Sequence, residues 1–304
     1  MLAKIHLLLS TYNGAHFLSD QMDSIFSQSC PPSVISIRDD ASTDGTYEKV
    51  CEYEATRPNI KVIRGERLGP AASFLELLHD AESECDYFAF ADQDDAWMPT
   101  KLENAVSRLA QQGSSGPVMY CSRVEYVDIQ LKHVGFSSVP SRVGFANALV
   151  ENVAIGCTVL LNREARRIIV GRLPSNALMH DWWCYLVVSA FGTVIYDERP
   201  SVKYRLHGRN TVGASTSVRE KFIRRMLRFL KYKEGTPRPT DQAVEFQRCF
   251  GTLLNQQELK KLERFLAVRG NLWPRIAYSA QMDVWRQSWI EDAILRTLIL
   301  FGRI

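Results

Sequence analysis

The chain is poor in the features that most readily assign a class. None of its seven cysteines, Cys30, Cys51, Cys85, Cys121, Cys157, Cys184 and Cys249, stands in a Cys-x-x-Cys spacing. An odd, dispersed set of this kind predicts reduced thiols packed as small hydrophobes, hence a cytoplasmic protein rather than a disulfide scaffold. No apolar run approaches the roughly 18 residues of a spanning helix. Met1 to Leu9 carries one lysine and is too short for a secretory leader, which supports the same expectation. The first strand-like run is not followed by Gly-x-Gly-x-x-Gly, since Ser10-Thr11-Tyr12-Asn13-Gly14-Ala15 stands there. A dinucleotide-dependent oxidoreductase is thereby disfavoured. There is no internal repeat or low-complexity tract. A formal charge of +3, from 37 basic and 34 acidic residues, is too small to argue for nucleic acid, and none is expected as a partner. What remains is an ordinary globular composition, 46% apolar and 23% charged over 304 residues, enough for a large domain with an appendage.

Within this composition, one stretch stands out. Asp86 to Ala91 reads as a buried strand, and it ends abruptly in Asp92-Gln93-Asp94-Asp95-Ala96-Trp97. Two like charges about 4 Å apart repel by about 4 kcal/mol at a surface-like dielectric, so three carboxylates at one strand end want a cation. A divalent ion carrying a phosphate ester would resolve the conflict, because hard oxygen ligands suit Mg2+ or Mn2+. The residues alone equally allow a solvated acidic turn that caps the helix starting near Pro99.

Strand-like and helix-like segments alternate from the N-terminus. Ile5 to Leu9 leads through a loop into a helical pattern of Phe17, Leu18, Met22, Ile25 and Phe26; Val34 to Ile37 leads through Asp39 to Thr46 into a helix from about Tyr47; Ile60 to Ile63 precedes a helix at Ala71 to Ala81. Such alternation predicts right-handed crossovers and a largely parallel sheet covered on both faces, with ligands at the carboxyl ends of the strands. The loops Ser10 to Gly14, Asp39 to Thr46 and Asp92 to Asp95 should therefore share one crevice. Beyond Gly113 to Pro117 shorter strands are expected at 118–120, 123–129 and 153–161. His133 to Asn147 reads either as a lid or acceptor loop or as a plain surface excursion. From about Ser215 the chain turns basic and helical: Arg219, Lys221, Arg224, Arg225, Arg228, Lys231 and Lys233 alternate with apolar residues. This 219–233 helix is expected either to lie on an anionic membrane or to be a solvated face of the catalytic domain. Trp285, Trp289, Ile294, Leu298 to Leu300 and Phe301 are candidates for a second contact.

Taken in order, Ser10 to Gly14, Arg38 to Thr46, Asp92 to Trp97, Asn152 to Cys157, His180-Asp181-Trp182-Trp183 and Tyr204-Arg205-Leu206-His207-Gly208-Arg209-Asn210-Thr211-Val212-Gly213 resemble the signature segments of inverting family-2 glycosyltransferases. The last two look most like the rhamnosyltransferase branch, which builds lipopolysaccharide or capsule-type glycans from dTDP-L-rhamnose. The resemblance covers about residues 3 to 213. It implies a GT-A fold, a Rossmann-like, mostly parallel α/β sheet flanked by helices, with a catalytic domain at 1–214 and a basic helical region at 215–304.

It also implies roles. Thr11, Tyr12, Asn13, Asp40 and Gly69 would contact the nucleotide, Tyr12 by stacking and Asp40 by accepting from a pyrimidine N–H. Asp92 would span toward the ribose, and Asp94 and His207 would ligate Mg2+ or Mn2+, with Arg205 on the diphosphate. Asp181 would be the general base; standing alone, a carboxylate in the first turn of a helix reads as an N-cap. Asp95, Trp97, Trp182 and Trp183 are candidates for the acceptor, Trp182 and Trp183 being equally readable as core and Asp95 as a helix cap. The implied partners are a nucleotide-sugar donor, dTDP-L-rhamnose or a UDP-sugar, and a glycan or glycolipid acceptor, at the cytoplasmic face of a membrane. A non-catalytic binding module is the rival class, and it should show no metal-dependent nucleotide affinity.

Overall fold

The computed structural model describes residues 3–113, 115–207 and 238–304. Its N-terminal half repeats strand, loop and helix: β1 (Ile5–Thr11), α1 (Leu18–Phe26), β2 (Val34–Asp39), α2 (Thr46–Thr56), β3 (Ile60–Arg64), α3 (Pro70–Asp80) and β4 (Tyr87–Ala91). Strand β1 is buried along nearly its whole length, the signature of a central parallel strand covered on both faces. Its side chains alternate accordingly. Leu7 and Leu9 pack with Leu18, Met22 and Ile25 of α1, whereas Leu8 joins Phe74, Leu77 and Leu78 of α3 on the opposite face. Helix α3 begins with Pro70 directly after Gly69, whose φ of +80° suits glycine.

The second half comprises β5 (Ala96–Trp97), α4 (Lys101–Ala110), β6 (Val118–Val127), β7 (His133–Phe136), α5 (Phe145–Ala148), a 3-10 turn at Gly156–Thr158, β8 (Leu160–Asn162), α6 (Arg163–Val170), α7 (His180–Phe191) and β9 (Thr193–Arg205). Strand order is β3-β2-β1-β4-β8-β6-β9-β5, with β7 against β6. The pairings among β3, β2, β1 and β4 are parallel, as is β6 with β9, and β8 is the antiparallel insert between the two parallel blocks. The expected α/β class and Rossmann-like central sheet are thus present.

Three details differ from expectation. The segments 118–120 and 123–129 belong to one continuous strand, β6. The 133–147 connection contributes β7 and then buries α5 in the core, where the Tyr185 hydroxyl bonds Asn147 Oδ1 at 2.9 Å. The thirteen-residue β9 was not anticipated, because Asp197, Glu198, Arg199 and Pro200 interrupt its apolar pattern at a register shift opposite Ser122 and Arg123.

Beyond the sheet lie α8 (Pro239–Phe250), α9 (Gln256–Leu266), α10 (Leu272–Ala280) and α11 (Trp289–Leu300). Their buried residues, among them Phe246, Phe250, Leu262, Phe265, Leu295 and Ile299, form one cluster with Trp183, Tyr185 and Val187 of α7. The C-terminal helices therefore brace the helix that begins at His180. Trp183 contacts Phe246 and Phe250 at ring distances of 6.1 and 6.2 Å, and truncating so large a core side chain costs about 3–5 kcal/mol. The basic 219–233 segment lies outside the described residues. Among the described residues, no helix is long and apolar enough to cross a membrane.

Candidate active site

Parallel register decides where the site forms. Thr11 stands opposite Asp39, and Leu9 opposite Ala91, so the loops after β1, β2 and β4 leave the same sheet edge. These loops are laced together. Asp40 N donates to Thr11 O at 2.8 Å, Asn13 N to Ser42 Oγ at 2.9 Å, and Gly14 N to Thr46 Oγ1 at 2.9 Å. The Gln93 side chain closes the set, accepting from Tyr12 N at 2.8 Å and donating to Tyr12 O at 2.9 Å. Asn13 adopts φ +49°, a left-handed conformation that asparagine tolerates better than most residues.

The first two loops are internally neutralised. Thr11 is buried, and its hydroxyl donates to Asp39 at 3.0 Å, so its side chain holds the loop instead of facing a nucleotide as expected. Asp39 also accepts from Ser42 N and Ser42 Oγ. Asp40 is 3% exposed; it pairs with the Arg38 guanidinium and accepts from Gly69 N at 2.7 Å. The base contact expected at Asp40 and Gly69 is thus replaced by a bond between the two. Arg38 further bonds Glu66 O and pairs with Glu76, tying down the 65–69 loop. Tyr12 remains partly open, with the Arg67 guanidinium 4.3 Å from its ring centre.

The loop after β4 is different. Asp94 Oδ2 lies 2.8 Å from His207 Nε2, so two residues 113 positions apart meet in space. Phe17 stacks on the His207 ring at 5.1 Å and positions it. Burial, then the charges of Asp94 and Asp181, push Asp92 up to about 7. Asp95 is buried, and desolvation plus its two acidic neighbours hold it well above the carboxylate range. It accepts from Arg205 N at 3.1 Å and sits over Cys157, so it lies beneath the crevice and is not the acceptor contact expected.

Arg205 also has a different place from the one expected. At 2% exposure, its guanidinium bonds Asp94 O at 3.0 Å, Ile129 O at 2.5 Å and Asp20 Oδ2 at 2.7 Å, so it ties the carboxylate loop to the sheet and to α1 instead of facing a diphosphate. Trp97 is buried under Lys101, whose Nζ is 3.6 Å from the ring centre and is driven down to about 7 by burial. Trp183 is core, as described above. Neither tryptophan can reach an acceptor. Trp182 is half-buried and donates its indole N–H to Ala148 O at 2.7 Å.

Asp181 opens α7, and its carboxylate accepts from Trp182 N at 2.7 Å, with Asn152 and Gly156 N as further donors. Burial, opposed by these donors, raises it to about 6, a value suited to a general base near neutrality. Its charge is felt at Asp92, so the two carboxylates lie near one another. His180, next to it, is buried between Phe74 and Phe90 and lowered to about 3 by desolvation, so it is a neutral wall and not a ligand.

A hard divalent cation fits this donor set. Two ligands about 2.1 Å from one octahedral ion lie roughly 3 Å apart, close to the 2.8 Å between Asp94 Oδ2 and His207 Nε2. The excess carboxylate charge calls for positive charge. Asp92, Asp95 and Cys157 also bring donor atoms within 4.8 Å of one another, but burial and the two carboxylates keep Cys157 a neutral thiol, a poor ligand for such an ion. Sequence reasoning assigned no role to Gln93, Asn152, Phe17 or Asp20. Gln93 and Asn152 sit inside segments already singled out, whereas Phe17 was hidden in an apolar helical pattern and Asp20 in an ordinary helix surface.

An α/β sheet with acidic residues gathered at the carboxyl edge of its parallel strands defines a class of protein. The family model described as Glycosyl transferase family 2 matches residues 7–169, more than half of the chain, so the chain belongs to that family. Among its relatives, the dTDP-rhamnosyl transferase RfbG of Shigella flexneri is 29% identical over 228 residues, 71% of this chain and 77% of that protein. Among solved structures, S. aureus TarS 1-349 in complex with UDP-GlcNAc superposes with a TM-score of 0.58 at 16% identity, over 98% of this chain and 81% of that one. The mannosyltransferase PcManGT from Pyrobaculum calidifontis, in complex with GDP-Man and Mn2+, gives 0.50 at 18% identity over 99% and 81%.

Proposed function

We propose that this glycosyltransferase transfers L-rhamnose from dTDP-L-rhamnose, with inversion, to a hydroxyl of a lipid-linked surface glycan of lipopolysaccharide or capsule type, in the cytoplasm. The observation that carries the reading is the gathering of Asp92, Asp94 and His207 with Asp181 at one sheet edge. The rhamnosyl donor is supported by the His180 to Trp183 and Tyr204 to Gly213 segments and by the name of the Shigella relative. In this reading residues 1–214 carry the chemistry, and the described helices of 215–304 stiffen α7 behind Asp181.

Asp181 takes the proton from the acceptor oxygen as that oxygen attacks the anomeric carbon, and the bond to the diphosphate breaks in the same displacement. No enzyme nucleophile is needed. Asp94 and His207 would hold Mg2+ or Mn2+, which supplies charge neutralisation for the leaving diphosphate. Asp92 faces the ribose side, Tyr12 and Asn13 border the base, and Arg38 with Asp40 fixes the Gly69 loop against it. Half-buried Trp182 borders the acceptor side.

Replacing Asp181 by Asn should cut transfer by about 10²- to 10⁴-fold while leaving metal-dependent dTDP affinity intact by calorimetry. Near-full transfer by that variant would refute the assignment. The UDP-GlcNAc complex of the TarS neighbour supports one alternative, a UDP-sugar donor. Product detection with dTDP-L-rhamnose against UDP-glucose, UDP-galactose and UDP-N-acetylglucosamine decides between them. Absence of any metal-dependent nucleotide binding would instead favour a non-catalytic module.

A further inference from the structure

Helices α10 and α11 have an outward face unlike the rest of the surface. A surface helix ordinarily turns its polar and charged residues to water, as α9 does with Gln256, Gln257, Lys260 and Glu263. On α10 and α11 every exposed position is uncharged, and Thr297 is the only polar one. The exposed set includes Leu272, Trp273, Ile276, Trp289, Ile290 and Leu300, continued by Phe301 just past the helix; Trp273 is 79% exposed, Trp289 80% and Phe301 67%.

The charged residues of these helices are half-buried and engaged with neighbouring structure. Arg275 donates to Val268 O at 3.0 Å, Arg296 bonds Ser279 O, and Asp292 accepts from Arg286 N at 2.6 Å. The two helices pack against each other. Exposed apolar side chains concentrated on neighbouring helices mark an interaction site.

Charge selects the occupant. Residues 1–214 contain 20 basic and 25 acidic side chains, whereas the described residues 238–304, which carry α10 and α11, contain 10 and 7, so this part of the chain is net positive. Three arginines stand in or beside the turn after α11: half-buried Arg238 donates to Gly302 O, half-buried Arg275 lies against Gly302, and exposed Arg303 comes two residues after exposed Phe301. Exposed tryptophans with apolar neighbours, on a net-positive part of the chain that ends in exposed Arg303, match the interface of an anionic bilayer, where the rings sit at headgroup level and cations meet phosphate.

We infer that the α10–α11 face is a monotopic docking surface for an anionic lipid bilayer. The sequence-based candidates need revising in two respects. Trp285 is half-buried with Arg142 3.9 Å from its ring centre, and Ile299 is core, so neither takes part; Trp273 and Leu272, not anticipated, do. The surface stands independently of donor and acceptor identity.

Flotation of the full chain with vesicles tests it without any catalytic readout. The chain should float with phosphatidylcholine vesicles containing phosphatidylglycerol, much less with pure phosphatidylcholine, and less at about 1 M salt. The exposed pair Trp273→Ser and Trp289→Ser should lower partitioning at least roughly tenfold at an unchanged melting temperature, and Trp273→Phe with Trp289→Phe should retain most of it. Equal flotation of the serine pair and the parent, no flotation of the parent, or a parent dimer that the serine pair converts to monomer would each overturn the inference.

Discussion

Acidic residues cluster at two strand ends of one sheet, and the chain treats the two clusters in opposite ways. Asp39 and Asp40 after β2 are supplied with donors from within, Thr11, Ser42, Gly69 N and the Arg38 guanidinium. Asp92, Asp94 and Asp95 after β4 have no Lys or Arg side chain paired with a carboxylate oxygen among the described residues, Asp94 meets only the His207 imidazole, and burial together with their crowding raises Asp92 and Asp95. The same residue type thus builds a loop in one place and a cation receptor in the other. A carboxylate that is satisfied internally stabilises; one left unsatisfied at a crevice is poised for something from outside.

The largest effect should come from breaking the satisfied pair. Arg38→Met leaves Asp40 buried without its countercharge and should cost about 3–5 kcal/mol of unfolding free energy in urea; a loss below about 1 kcal/mol would show that the pair is not structural. Next, Asp94→Asn removes a carboxylate that fold stability does not need. Transfer should fall about 10²- to 10³-fold and metal-dependent nucleotide binding should disappear, while the urea midpoint holds or rises because one like charge is gone. A fall in midpoint comparable to that of Arg38→Met would erase the contrast.

The remaining effect is spread over pH as a slope. Asp92 binds its proton more tightly folded, with a pKa of about 7, than unfolded, near 3.8. Between those values the native state holds more protons, so metal-free stability should decrease as pH rises from about 4 to about 7. Asp92→Asn should flatten that portion of the profile, and saturating Mn2+ should oppose it by favouring the ionised form. Thermal melts across this range with and without metal check the sign.

How much was legible beforehand follows from the same physics. The β1-to-β4 half could be read because parallel strands buried on both faces leave continuous apolar runs, and their loops carry Gly14, Asp40 and Asp94 in view. The meeting of Asp94 with His207 came only from the order of family-like segments, since nothing local links positions 113 apart. Trp97 and Trp183 were misplaced because an aromatic beside a motif has the same appearance whether it lines a crevice or fills a core. Arg205 was misread for a related reason: a guanidinium that braces backbone carbonyls and one that grips phosphate use the same donors.

Gly14 illustrates how little tolerance the crevice has. A methyl group there would stand 2.1 Å from the Gln93 amide carbon, so any larger residue expels the side chain that bridges the first and fourth strand ends. With that latch closed, the turn after β1 and the carboxylate loop after β4 are fastened by one side-chain amide. Swapping a single hydrogen for a methyl would undo the fastening while leaving Asp94, His207 and Asp181 unchanged.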